Sequence, residues 1–170
     1  MGADVLILSG SARSDGNTAR MVSRLAERIG GGALVIDLNG LTIGPYGYGG
    51  AYDRDDFACV VSAMLAHRRL LFATPVYWYA MSGLMKTLFD RFSDLLGRPE
   101  GRALGGRELW LAANGTDAAL PDGFEVPFAR TAEWFDMDWC GTTYLAMGDD
   151  GPSDEAALAP LDDLARALGA

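Results

Sequence analysis

The chain has 170 residues, 49% of them hydrophobic, and its 23 acidic residues against 14 basic ones leave a formal charge of −9. That length holds one domain, 1–170, able to bury about 70% of its unfolded surface without disulfides or a structural metal. The acidic balance argues against nucleic acid or an anionic membrane as partners, and no apolar run has membrane-spanning length, so a soluble, cytoplasmic protein is expected.

Residues 5–8 are an apolar, β-rich run with the length of a buried strand, and helical spacing begins at Ala19. Between them lies a turn of Ser9, Gly10, Ser11, Ser14, Gly16, Asn17 and Thr18, with Arg13 as its one cation. A strand leading through such a turn into a helix aims unpaired N–H groups and the positive end of the helix dipole at one spot, which suits a phosphate. Five residues separate Gly10 from Gly16 and Asn17 stands where a Walker A lysine belongs, so a nucleoside triphosphate site is disfavoured. Gly-Ser-Ala-Arg-Ser-Asp at 10–15 is not Gly-x-Gly-x-x-Gly either. What remains can surround a terminal monophosphate, such as that of FMN, with Ser9, Ser11, Asn17 and Thr18. An ordinary strand-to-helix turn with Ser and Asn caps is the competing reading.

The helix at 17–29 carries Met21, Val22, Leu25 and Ile29 at helical spacing and stops at Gly30, Gly31 and Gly32. A strand at 33–38, a Gly/Tyr/Pro loop at 39–54, a helix at 55–67 and a strand at 69–74 follow, the last ended by Pro75. A helix at 81–96 places Met81, Leu84, Met85, Leu88, Phe89, Phe92, Leu95 and Leu96 on one stripe, which is core packing. A strand at 107–113, a loop at 114–122, a helix at 124–137, a strand at 141–147 and a closing helix at 153–168, with Asp154 and Glu155 in its first turn, complete the chain. His67 falls at a helix end, a surface or capping position, and Lys86 and Asp90 have the spacing of an intrahelical ion pair. Cys59 and Cys140, each among apolar neighbours, read as buried reduced thiols.

Five strand–helix units with short connections predict an α/β, flavodoxin-like three-layer sandwich with a five-stranded parallel sheet of order 2-1-3-4-5. Ligand then binds at the carboxyl ends of strands 1, 3 and 4, where loops 9–18, 75–82 and 114–123 share one crevice. The second of these carries Tyr77, Trp78 and Tyr79, which in a crevice offer flat apolar surface to a planar heterocycle. Filling the core under the loop, or facing a second subunit, are the alternatives.

Ser-Gly-Ser-Ala-Arg-Ser-Asp-Gly-Asn-Thr at 9–18, Thr-Pro-Val-Tyr-Trp at 74–78 and Leu-Met-Lys-Thr-Leu-Phe-Asp-Arg at 84–91 resemble the flavodoxin-fold NAD(P)H-dependent FMN reductases. Asp55-Asp56 and Pro121-Asp122-Gly123-Phe124 are similar to the branch that contains the iron–sulfur flavoproteins. The resemblance implies bound FMN, with Ser9, Ser11, Arg13, Gly16, Asn17 and Thr18 in the phosphate loop. Pro75, Val76, Tyr77, Trp78 and Tyr79, with Asn114, Gly115 and Thr116, then surround the isoalloxazine ring. It also implies NAD(P)H as co-substrate, a small-molecule electron acceptor and a homodimer. The branch's compact cysteine motif is missing: the stretch 44–54 has no thiol, so it cannot supply the thiolates a cluster needs, and no metal is expected. No side-chain nucleophile or other catalytic residue is required when a flavin carries the chemistry. A phosphoacceptor domain is disfavoured because Ser9 and Thr74 stand where its carboxylates belong, while an electron carrier or a flavin-free interaction protein remain the rival functions.

Overall fold

The computed structural model describes residues 4–49, 55–148, 151 and 155–169. β1 (Val5–Ser9) leads to α1 (Asn17–Ile29), then β2 (Ala33–Asp37), α2 (Phe57–Ala66), β3 (Arg69–Tyr77), the short β4 (Ala80–Met81) and α3 (Gly83–Arg91). A one-turn helix α4 (Pro99–Arg102), β5 (Glu108–Gly115), α5 (Val126–Trp134), β6 (Asp138–Ala146) and α6 (Ala159–Ala167) complete the order. The parallel sheet runs β2-β1-β3-β5-β6, and β4 is an antiparallel appendage to β3. Counting the parallel strands alone, this is the expected 2-1-3-4-5 order. No helix of the described residues is long and apolar enough to cross a membrane.

Alternate residues of each central strand feed opposite faces. Leu6, Leu8, Leu70, Phe72, Leu109 and Leu111 pack under α2, α3 and α5, whereas Val5, Ile7, Leu71, Ala73 and Ala112 pack under α1 and α6. All five residues of β1 are buried, as a strand covered on both faces requires. The stripe of the third helix meets the sheet through aromatics: Phe89 lies 5.2 Å from Phe72 and 4.8 Å from Phe128, both edge to face.

Several sequence expectations are corrected. Pro75 does not end the third strand, which continues to Tyr77. β1 stops at Ser9 opposite Ala73, and the Ala73 carbonyl already turns back to the Gly10 N–H, so two residues on Pro75 faces a side where no strand asks for its missing N–H. Met81 belongs to β4, paired with Val76, and the helix starts after Ser82, whose Oγ accepts from the Met85 N–H at 3.1 Å. That helix ends at Arg91 and tightens into a 3₁₀ turn, Phe92–Leu95. The last strand begins at Asp138 rather than 141, with its extra residue absorbed where pairing jumps from Trp139 to Thr142 and Gly141 takes φ 102°. The closing helix is a 3₁₀ turn, Glu155–Leu158, followed by α6, and Asp154 lies outside the described residues.

The cysteines are not buried. Cys59 is exposed because it lies on the outward face of α2, one residue from the inward Val60, and Cys140 is half-buried at the β6 irregularity. Burial, then the charges of Glu108 and Asp138, push the Cys140 thiol up, which keeps it protonated. His67 closes α2 as expected, its N–H bonded to Met64 O and its Nδ1 2.7 Å from Ala63 O, and Lys86 pairs with Asp90.

The start of α2 is fastened by a buried charge. Arg91, 2% exposed, binds the Asp55 carboxylate, donates to Gly44 O at 3.1 Å and to Asp94 at 2.6 Å, and lies 4.6 Å over the Phe57 ring. Burial alone would raise the Asp55 carboxyl, but the Arg91 hydrogen bond, the Phe57 and Gly44 N–H groups and the Arg91 charge together hold it below its ordinary value. Asp56 accepts from the Thr42 N–H at 2.7 Å. The two acids therefore close the neck of the Gly/Tyr loop, of which residues 50–54 lie outside the described residues.

Candidate functional site

A crevice of about 330 Å³ opens at the carboxyl ends of β1, β3 and β5. It is lined by Ser11, Arg13, Gly16, Asn17 and Thr18 from the first loop, Pro75, Val76 and Tyr77 from β3, and Asn114, Gly115 and Thr116 from β5, with Arg20 and Met147. A second hollow, about 230 Å³, continues it past Val76, Gly115 and Thr116 to Trp78, Tyr79, Asp117 and Tyr144. Thirteen of the fourteen site residues expected from the sequence thus share one continuous surface. Ser9 does not: it lines a separate groove between α1 and β2, with Ser14, Ser23 and Asp37.

One end of the crevice is built for an anion. Gly16 caps α1 without a side chain, and the first turn holds no acid, so the N–H groups there and the helix dipole are uncompensated. Ser11 Oγ accepts from the Arg13 N–H at 3.2 Å, which leaves the hydroxyl proton to donate elsewhere. The Arg13 guanidinium is exposed and 3.7 Å from Asp15. Two side chains expected on a phosphate have other partners. Asn17 Nδ2 donates to Gly148 O at 2.7 Å while its Oδ1 accepts from Arg20 at 3.5 Å, and Thr18 Oγ1 donates to Asn114 Oδ1 at 2.7 Å. The Asn17 bond draws the segment after β6 against the crevice, and the Met147 N–H bonds Gly115 O at 2.7 Å.

The other end is flat and aromatic. Tyr77 pairs with Ala80, so Trp78 and Tyr79 are the two central residues of a hairpin turn, with φ of 49° and 64°. Such turns favour Asn-Gly, and aromatic residues held there cost about 1–2 kcal/mol each. The turn projects both rings outward, Trp78 94% and Tyr79 71% exposed. Behind it Gly115 is tightly framed, since a Cβ would meet the Tyr144 hydroxyl at 3.0 Å and Val76 at 3.2 Å and both side chains would have to shift. Tyr144 donates to Asp117 O at 2.8 Å, and burial, then the Asp117 charge, push its phenol up, so it stays a protonated donor.

The loops are tied to one another beneath this surface. Ser82 donates to Gly10 O, and the Ser82 N–H bonds Thr74 Oγ1 at 3.1 Å, joining the turn after β1 to the start of α3. A Cβ on Gly10 would come within 2.8 Å of the Met85 side-chain tip and 3.0 Å of its Cβ, so a larger residue in this turn would displace Met85. Sequence reasoning missed Met147 and Tyr144 as lining residues and did not name Arg20 among the site residues, while Asp117 falls in the 114–123 loop expected to share the crevice. Arg20 had a signal, because it lies three positions from Asn17 on one helix face. Among the described residues no group of three or more His, Cys, Asp or Glu is arranged to hold a metal.

A family model described as NADPH-dependent FMN reductase matches residues 3–119. A Bacillus subtilis (strain 168) protein named as an NAD(P)H-dependent FMN-containing oxidoreductase, YwqN, is 33% identical over 101 residues, which is 56% of this chain. The match covers 55% of YwqN, so the chain spans about half the length of that curated relative. Among solved structures, the Trp repressor binding protein of Bacillus subtilis superposes with a TM-score of 0.73 at 23% identity, over 94% of this chain and 96% of that one. General stress protein 14 of Treponema denticola, solved in complex with FMN, gives 0.64 at 21% identity, over 96% and 94%. At these identities the superpositions establish the shared flavodoxin-like fold. With the family model covering more than half of the sequence and the phosphate-type turn, strand ends and aromatic hairpin assembled on one crevice, the chain belongs to the NADPH-dependent FMN reductase family.

Proposed function

We propose that this protein is an FMN-containing NAD(P)H oxidoreductase that passes reducing equivalents to a small acceptor such as free FMN or a quinone. The observation that carries the reading is continuity: the anion-binding end and the aromatic end are one surface, joined through Val76, Gly115 and Thr116. A phosphorylated flavin requires this sequence of environments, with donors for the phosphate, a narrow middle and a flat apolar end. Bound FMN supplies acceptance of hydride from the nicotinamide and its onward transfer.

The chain's own residues bind and orient. Ser11, Arg13, Gly16 and the N–H groups at the start of α1 take the phosphate, with Asn17 holding the neighbouring loop and Thr18 holding Asn114. Pro75, Val76, Tyr77, Asn114, Gly115 and Thr116 flank the ring, and N–H groups of these loops, Pro75 having none, stabilise negative charge on it in the reduced state. Trp78 and Tyr79 form the outer wall against which nicotinamide and acceptor stack. One crevice with no Rossmann fingerprint serves both in turn, which implies a two-step exchange. The exposed hairpin suits a homodimer in which the neighbouring copy completes the site beside the outer wall, and an acidic chain whose two cysteines are free thiols suits the cytoplasm. Anaerobic stopped-flow mixing tests the reading. NADH or NADPH is expected to bleach the visible absorbance of the bound flavin, and flavin that neither coenzyme bleaches would leave an electron carrier as the better description.

A further inference from the structure

Thr18 and Asn114 are far apart in sequence and meet beside the crevice. Thr18 is almost wholly buried in the first turn of α1, and its Oγ1 donates to Asn114 Oδ1 at 2.7 Å. A threonine hydroxyl has one proton to give. Given to Asn114, it is not available to a phosphate dianion, which can only accept. The bond also sets what Asn114 shows: with Oδ1 turned to Thr18, the carboxamide presents Nδ2, which has no protein acceptor among the described residues and is not sealed from solvent. Asn114 itself is buried in β5 opposite Pro75 and Leu145 and lines the crevice next to Gly115, which borders both hollows.

We propose that Thr18 is a positioning residue and not a phosphate ligand: it locks the Asn114 carboxamide so that the middle of the crevice offers a donor to an acceptor oxygen of the cofactor's ribityl chain or ring. The inference rests on the FMN reading above. The reversed pair, with Nδ2 donating to Thr18, fills the same space but sends the Thr18 proton to the phosphate and turns Oδ1 to the crevice. The two arrangements have opposite consequences for riboflavin, which lacks the phosphate.

Titrating apoprotein with FMN and with riboflavin separates them. Thr18→Val is expected to raise both dissociation constants by the same factor, about fivefold for the loss of one net hydrogen bond, and Thr18→Ser to restore them. In an Asn114→Ala background Thr18→Val is expected to have no further effect on riboflavin, because its action passes through Asn114. A loss confined to FMN, or additive losses in the double variant, would overturn the proposal. Should Thr18→Val fail to fold by thermal unfolding, Asn114→Asp decides instead. It keeps an acceptor for Thr18 and removes the donor, so riboflavin affinity is expected to fall, and unchanged riboflavin affinity refutes the assignment. Wild-type protein that takes up neither flavin removes the FMN reading and this inference together, whereas phosphate-selective loss in Thr18→Val removes this inference alone.

Discussion

Arg13 and Asp55 show how differently two charged side chains act in this molecule. Arg13 lies in solvent at the lip of the crevice, so it adds little to the fold and acts on an anion that arrives. Arg13→Ala is expected to leave the unfolding midpoint unchanged and to cost roughly 1.5–3 kcal/mol of FMN binding with little loss for riboflavin, read by isothermal titration. Asp55 is half-buried against Arg91, and Asp55→Asn removes one of the two carboxylates that Arg91 holds, leaving Asp94, a loss of roughly 1.5–3 kcal/mol in urea unfolding at neutral pH. Because the folded-state carboxyl is held below its ordinary value, its stabilising contribution is complete above that value and is lost as pH falls through the depressed one. The gap between wild type and Asp55→Asn is therefore expected to narrow as the medium is acidified below about pH 4, and a gap that persists in acid would refute the ion-pair account.

At the scale of elements, the β3–β4 hairpin is where local conformational preference and the fold disagree. Strand pairing from Val76 to Met81 and the Ser82 cap of α3 fix both ends, so Trp78 and Tyr79 take a turn better suited to Asn-Gly. Replacing the pair with Asn-Gly is expected to raise stability by about 1–3 kcal/mol and to lower turnover with NAD(P)H, because the outer aromatic wall is lost. Equal or lower stability in thermal unfolding would show that the aromatic turn is not strained. The fold accepts a costly turn where it presents two aromatic faces to solvent, and that coincidence is why the hairpin is read as functional.

For the whole molecule, the sheet order brings three strand ends together at one crevice. A single crevice implies ping-pong kinetics, expected as parallel lines in double-reciprocal plots when acceptor concentration is varied, and intersecting lines would point to a second nucleotide site. Iron and acid-labile sulfide are expected to be absent even after anaerobic purification, because the stretch 44–54 has no cysteine, and stoichiometric iron would overturn that. Sedimentation is expected to give a dimer and Trp78→Ser to shift it toward monomer, whereas an unshifted dimer would place the contact away from the hairpin.

Sequence alone determined the order of the five parallel strands and the meeting of their loops at one crevice, because apolar periodicity and strand–helix alternation are local and the handedness of parallel connections leaves few ways to arrange them. It also marked thirteen of the residues now on the crevice, since the loops after β1, β3 and β5 must meet at the strands' carboxyl ends. The fate of individual side chains was not legible. Whether Cys59 faces inward depends on helix rotation, whether Pro75 stops a strand depends on where its neighbour ends, and Ser9 turns away from the crevice because of the pleat. Only the tertiary structure decided that Arg91 meets Asp55 and that Thr18 spends its hydroxyl on Asn114. Those choices depend on directional hydrogen bonds and burial between residues far apart in the chain, which no local spacing encodes.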